Sequence, residues 1–160
     1  ADHRRFAHKR SLRRPQIQSQ IKGDLMHFEI PQKVLFKHCD PAGIVFYPRF
    51  FEMINDAVEA LFSDLLDWPF EMMHPDSGVP TAEFKVRFKV PCRHGDQLKL
   101  GIQITQLGRA SLSLTTRALK DKTVCFEADQ VLVCVGPEGR PVSWPKSVRQ
   151  KITTLMETEA

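Results

Sequence analysis

One segment constrains the fold more than any other. Of the 17 residues from 50 to 66, eleven are apolar: Phe50, Phe51, Met53, Ile54, Ala57, Val58, Ala60, Leu61, Phe62, Leu65 and Leu66. Glu52, Asp56, Glu59 and Ser63 fall four, three and four apart. They form a single narrow wet stripe on a helix otherwise wrapped by protein. Pro48 suits its first turn, and Trp68-Pro69 ends it, so the pattern predicts a helix from about Pro48 to Leu66. Polar residues recur too often for a membrane span of about 20 apolar residues. The helix therefore needs an apolar surface broad enough to curl around it.

The rest of the chain supplies that surface as strands. After Pro80 the period changes to two. Ala82, Phe84, Val86, Phe88 and Val90 alternate with Glu83, Lys85, Arg87 and Lys89. Leu98, Leu100, Ile102 and Ile104 alternate with polar residues, as do Leu112, Leu114, Thr116 and Ala118 after a turn at Gly108. Residues 124–135 form a fourth run. Four successive strands with short links read as an antiparallel meander with one face packed. A further strand-like stretch precedes the helix, His27 to Phe36, with Val34 and Phe36 on one face. Residues 69–80, with Pro69, Pro75, Gly78 and Pro80, read as a loop. A second amphipathic helix is predicted over about 145–157, carrying Val148, Ile152, Leu155 and Met156. The class is α+β: one curved antiparallel sheet wrapped around one long central helix.

The sequence has 160 residues and a formal net charge of +4, a size that fits one core without disulfides or metals. The charge is uneven. Residues 1–25 hold seven Lys/Arg against two acids, while 26–160 hold 16 against 17. The basicity belongs to a tail with few large apolar residues, expected to be disordered, and Met26 opens a near-neutral domain spanning 26–160. A domain with balanced charge argues against nucleic acid as its partner. The N-terminus lacks the apolar stretch of a secretory signal. Cys39, Cys92, Cys125 and Cys134 form no CxxC pair and no common zinc spacing. Reduced thiols, a cytoplasmic location, no metal and no membrane contact are the expectations.

The residues between the first strand and the helix carry the chemistry. Asp40-Pro41 and Gly43 mark a turn, and Gly43 suits a tight backbone bend. Taken alone, Asp40 reads first as a turn-forming or capping aspartate before a helix. The full run Asp40-Pro41-Ala42-Gly43-Ile44-Val45-Phe46-Tyr47-Pro48 resembles the signature of the hotdog-fold thioesterases, and looks most like their 4-hydroxybenzoyl-CoA branch. The resemblance extends over most of 26–150 and includes the turn Pro91-Cys92-Arg93-His94-Gly95-Asp96. It implies an acyl-CoA thioesterase that needs no cofactor. It also implies that Asp40 attacks the thioester carbonyl or activates a water, and that Tyr47 offers its backbone N–H. A sister branch has His where this chain has Tyr47. The family works as homodimers or homotetramers, with acyl-CoA sites where subunits meet.

That assignment is chemically sufficient. The first turn of a helix carries unpaired N–H donors and a partial positive charge, suited to a developing oxyanion. A thiolate leaving group is a fairly stable anion, with a reference thiol pKa near ~8.5, so a strong general acid is less necessary. Gly43 and Phe46 belong to the same loop as Asp40. For the remaining substrate contacts, Arg109 in the 108–111 turn is the candidate phosphate partner because a guanidinium matches phosphate geometry. Ser111 closes that turn, Thr81 begins the first strand after the helix, and Trp68 and Phe70 could cap an aromatic acyl group. Glu59 is a rival carboxylate that also fits the wet stripe, and His38-Cys39 point to opposite faces if extended. Two other functions fit less well. A hotdog hydratase or dehydratase would need a His that the motif lacks, and a non-enzymatic binding protein would rest on the tail alone.

Overall fold

A computed structural model of the protein describes residues 26–158; the expectation for the basic tail lies outside these residues. The elements are β1 (Phe28–Lys33), α1 (Pro48–Asp64), α2 (Phe70–Met73), β2 (Thr81–Phe88), β3 (Gln97–Leu107), β4 (Ser111–Lys120), β5 (Thr123–Val133) and α3 (Lys146–Glu157). The five strands form one antiparallel sheet in the order β1-β3-β4-β5-β2. The sheet wraps α1, which is the hotdog architecture.

The long helix forms for the reason its pattern gives. Phe50, Met53, Ile54, Ala57, Val58, Leu61 and Phe62 recur at three- and four-residue steps, and all are buried. Seventeen residues span about 25 Å, so the longer strands, about 33–36 Å for 10 or 11 residues, reach past it. Leu98, Leu100, Ile102 and Ile104 of β3, Leu112, Leu114 and Ala118 of β4, and Phe126, Ala128 and Leu132 of β5 meet that face, each at most 3 % exposed. Phe62 is fully buried, with Trp68, Phe70 and Trp144 around it at ring-centroid distances of 6.3, 5.8 and 6.2 Å. Phe62→Ala would leave a cavity costing roughly 3–5 kcal/mol. α3 closes the core with Val148 and Ile152.

Three expectations need correcting. The four strands after the helix are not one meander: β3-β4-β5 is, but β2 lies at the far edge beside β5. The link between β2 and β3 runs eight residues through Pro91 and Gly95, longer than a tight hairpin loop, and β1 already occupies the free side of β3. Phe36 does not share a strand face with Val34. The chain turns into a short 3-10 segment at Phe36–His38, which leaves Phe36 81 % exposed. Finally, the 69–80 loop contains one helical turn, α2.

Candidate active site

Residues 38–46 fold back on themselves at one end of the sheet. Phe46 N–H donates to the His38 carbonyl (2.9 Å), Asp40 N–H to Ile44 (3.1 Å) and Gly43 N–H to Asp40 (2.9 Å). Gly43 takes φ 79° at the tip, a conformation favouring glycine. The Asp40 carboxylate is half-buried, and its Oδ1 accepts from Ala42 N–H at 2.9 Å. The turn-forming role and the chemical role are thus compatible, because one oxygen holds the loop and Oδ2 has no donor among the described residues. Val45 N–H donates to the Cys92 carbonyl (2.8 Å) and Ile44 bridges to Arg93. The loop is therefore fastened to the β2–β3 link.

That link is itself braced. Asp96 accepts from Arg93 N–H (2.9 Å) and pairs with Lys120 Nζ (2.8 Å). Burial pushes the Asp96 carboxyl up, but the Arg93 N–H and the Lys120 ammonium outweigh it and hold its pKa below the ordinary value. Behind the loop, His38 is buried and its Nδ1 accepts from Leu35 N–H at 2.9 Å. Burial, then the charge of Lys37, lowers its pKa, while Glu52 and Asp56 act in the opposite sense. Cys39 Sγ points to the Leu35 carbonyl (3.8 Å), so His38 and Cys39 engage separate partners rather than forming a nucleophile pair. Burial first, then Cys125 and Asp96, pushes the Cys92 thiol up to about 12. It stays protonated at neutral pH and is no nucleophile.

The start of α1 provides one open donor. Arg49 N–H donates to Phe46 and Phe50 N–H to Tyr47, at 2.8 and 3.1 Å. Pro48 has no N–H. Among the described residues, the Tyr47 N–H has no acceptor. Tyr47 is 58 % exposed, and its ring lies edge-on to Phe46 and Phe88, at 5.6 and 6.0 Å. A groove of about 290 Å³ opens beside it, lined by Ile44, Val45, Tyr47, Phe50, Phe88 and Cys92 among others.

Asp40, Gly43, Phe46 and Tyr47 are brought together. The other sequence-derived candidates are not. Register places Lys33, Gln97, Lys120 and Phe88 at the sheet end nearest the Asp40 loop, and Thr81, Leu107, Ser111 and Val133 at the opposite end. Ten residues of β4 separate these ends, about 30 Å. Thr81 accepts there from Nε2 of the buried Gln130 (2.8 Å), and among the described residues Gln130 Oε1 has no partner. Arg109 is exposed, with Nη1 donating to Ser143 Oγ (3.1 Å). The Ser111 carbonyl accepts from Trp144 Nε1 and from Gly108 N–H, and a side chain on Gly108 would collide with Ser111 Oγ. Trp68 packs against Phe62 at the C-terminal end of α1. Glu59 stays in the exposed stripe. One residue at this end escaped the sequence reading. Arg149, in α3 and 41 positions along the chain from Gly108, donates to the Gly108 carbonyl at 2.9 Å and sets a second guanidinium beside Arg109; its helical position carried no mark of that contact. Among the described residues no group of three or more His, Cys, Asp or Glu side chains is placed to hold a metal ion, and no helix is long and apolar enough to cross a membrane.

This architecture, with a carboxylate loop leading into the buried helix, defines a hotdog thioester hydrolase. The family described as the thioesterase-like superfamily matches residues 34–152, and the chain belongs to it. Among solved structures, the gentisyl-coenzyme A thioesterase BH1999 is 26 % identical with a TM-score of 0.71, covering 76 % of this chain and 99 % of its own. The 1,4-dihydroxy-2-naphthoyl-CoA thioesterase from Synechocystis is 22 % identical with a TM-score of 0.74, covering 81 % and 97 %. A thioesterase from Thermus thermophilus complexed with coenzyme A and zinc is 24 % identical with a TM-score of 0.71, covering 82 % and 96 %. Comparison with curated protein sequences returned no significant match.

Proposed function

We propose that the protein hydrolyses aromatic acyl-CoA thioesters as a homodimer, with Asp40 and the Tyr47 amide as its reacting groups. The observation that carries this reading is the open Tyr47 N–H, a first-turn donor without an acceptor among the described residues, held in the same folded-back loop as the Asp40 carboxylate. The thioester oxygen sits on that N–H. Asp40 Oδ2 then either attacks the carbonyl carbon, giving an anhydride that water opens, or takes a proton from a water that attacks. Both routes expel the CoA thiolate, which leaves as the thiol after protonation. A preorganised donor is worth about 3–4 kcal/mol in the transition state, and the helix N-terminus adds favourable charge.

The substrate reading draws on two solved relatives named for dihydroxynaphthoyl and gentisyl thioesters. The 4-hydroxybenzoyl group of the motif's branch belongs to the same chemical class. The apolar groove beside Tyr47 admits the uncharged thioester link between the acyl group and the pantetheine arm.

The dimer reading rests on β2. It is an edge strand whose apolar face stands open: Phe84 is 36 % and Phe88 49 % exposed, Ala82 is exposed and only Val86 is half-buried. An unpaired edge of this kind templates a second strand. Antiparallel pairing of two β2 strands about a two-fold axis brings the Thr81 end of one against the Phe88 end of the other. The partner's Arg109 and Arg149 turn then approaches the Asp40 loop, which reconciles candidates that lie about 30 Å apart within one chain. Arg109 with Arg149 suits the CoA phosphates.

Asp40→Asn should reduce thiol release at least a hundredfold while CoA-thioester binding survives. Near-normal turnover by that variant would overturn the assignment.

A further inference from the structure

A second cavity, of about 530 Å³, lies between α1, the 69–80 segment and the 135–139 turn, with Asn55, Phe70, His74, Ser77, Gly78 and Pro80 among its walls. Most of the lining is apolar, so its few polar atoms decide what fits. His74 is the most constrained of them. Its Nδ1 lies 2.7 Å from the Phe70 carbonyl, and its own backbone N–H reaches the same oxygen at 3.0 Å. The Phe70 ring stands edge-on to the imidazole at 6.1 Å and 80°. A carbonyl only accepts, so Nδ1 carries the hydrogen of that bond and Nε2 of the neutral ring is left with a lone pair. Nε2 faces Gly78: a Cβ built there would sit 3.7 Å from it. The glycine therefore leaves open an oriented hydrogen-bond acceptor at the exposed rim of the cavity, which a ligand or partner subunit seated there would cover. Acceptors of that kind are filled by hydroxyl or N–H donors, and an apolar ligand leaves them desolvated without a partner.

We propose that this cavity receives the acyl group and that His74 Nε2 selects acyl groups carrying a hydroxyl. The inference rests on the dimeric thioesterase reading above. In that dimer, Pro80 and Thr81 of one subunit lie against the Phe88 end of the other, where Tyr47 packs on Phe88 at 6.0 Å. The cavity of one subunit then faces the reacting carbonyl of the next. A planar ring slides between Phe70 and Pro80, and its hydroxyl donates to Nε2. A binding site built around such a contact discriminates more sharply against the analogue lacking the hydroxyl than an apolar pocket discriminates by size.

The test compares kcat/KM for benzoyl-CoA and its 2-, 3- and 4-hydroxy derivatives in wild type, His74→Leu, His74→Gln and Gly78→Ala. Wild type should prefer at least one hydroxylated thioester by about tenfold. His74→Leu should bring that ratio to about one. His74→Gln, whose amide oxygen also accepts, should restore part of it. Gly78 has no positive φ and only ordinary contacts for an added Cβ, so alanine there should fold and lower the ratio by covering Nε2. A ratio in His74→Leu equal to that of wild type would overturn the proposal, as would a wild type without hydroxyl preference. If wild type releases no thiol from any of the four, the thioesterase reading fails instead. The cavity is then judged by calorimetric binding of the free hydroxybenzoic acids against benzoate, where His74→Leu must erase the hydroxyl preference. Equal preference in both proteins overturns the inference on its own.

Discussion

At the level of single residues, the site separates what a side chain does from what a backbone does. The Tyr47 phenol is exposed and packs only by its ring edge, whereas its N–H is the open donor. Tyr47→Phe should therefore retain kcat within a few-fold. Tyr47→Pro removes the N–H at a φ of −50° that proline itself adopts, and should cost about 10²–10³-fold in kcat, with the circular-dichroism spectrum unchanged. Equal loss in both variants would assign the role to the phenol. His38 adds a pH dependence. Its folded pKa is depressed by burial and by Lys37, so the unfolded chain binds a proton more readily. Its contribution to stability is present above the unfolded value near ~6.5 and is lost as pH falls below it. Urea midpoints at pH 7.5 and 5.5 should show a smaller acid loss for His38→Gln than for wild type. The nine-residue motif was legible in the sequence because loop, donor and carboxylate are contiguous there. His74 was not: its role depends on which ring nitrogen the Phe70 carbonyl claims, and spacing carries no such information.

At the level of elements, β2 is where sequence and structure part. Its alternation of Ala82, Phe84, Val86 and Phe88 reads as an ordinary half-buried strand, and four strands in succession read as neighbours. Alternation reports that one face is apolar; it does not report which strand lies alongside. β1 had the prior claim on β3, through six residue pairs from Phe28↔Ile102 to Lys33↔Gln97, so β2 was carried to the other edge. The helix, in contrast, was legible nearly to the residue, because eleven apolar side chains in one segment leave no alternative to enclosure. The outer face of β2 is pinned by charge: Arg87 pairs with Glu127 (2.8 Å) and Asp129 (3.4 Å), and Arg117 with Glu127 (2.6 Å). The hydrogen bonds from Arg117 and Arg87 hold the Glu127 carboxyl below its usual pKa. The inner face leaves Phe84 against Phe51 at 5.3 Å with one side open. Phe84→Lys should keep the monomer folded, move it to half the mass by light scattering, and lower thiol release in parallel. A fully active monomer would remove the dimer from the mechanism.

At the level of the whole molecule, the positions of the candidates make a statement that no single residue does. Asp40 and Tyr47 stand at one end of the sheet, and Thr81, Arg109 and Ser111 at the other. A chain read in isolation gives two half-sites, and in the proposed dimer a two-fold axis through paired β2 edges makes each half complete the other's. Such a site has a property that a site within one chain lacks. Asp40→Asn homodimers have no active carboxylate, and Arg109→Ala homodimers have weakened phosphate contacts in both sites. In a mixed dimer, one site combines both defects and the other combines the wild-type Asp40 of one subunit with the wild-type Arg109 of its partner. Unfolding and refolding the two variants together in equal amounts should therefore recover roughly a quarter of the sites at wild-type kcat/KM, since half the dimers are mixed and each carries one intact site. Refolding each variant separately and then combining them at once, before subunits exchange, should recover none. If co-refolding also recovers none while light scattering reports dimers, then Arg109 of one subunit does not serve the Asp40 of its partner. The phosphate contact would then have to come from residues nearer the Asp40 loop, where Lys89 lines the Tyr47 groove and Arg93 bridges to Ile44.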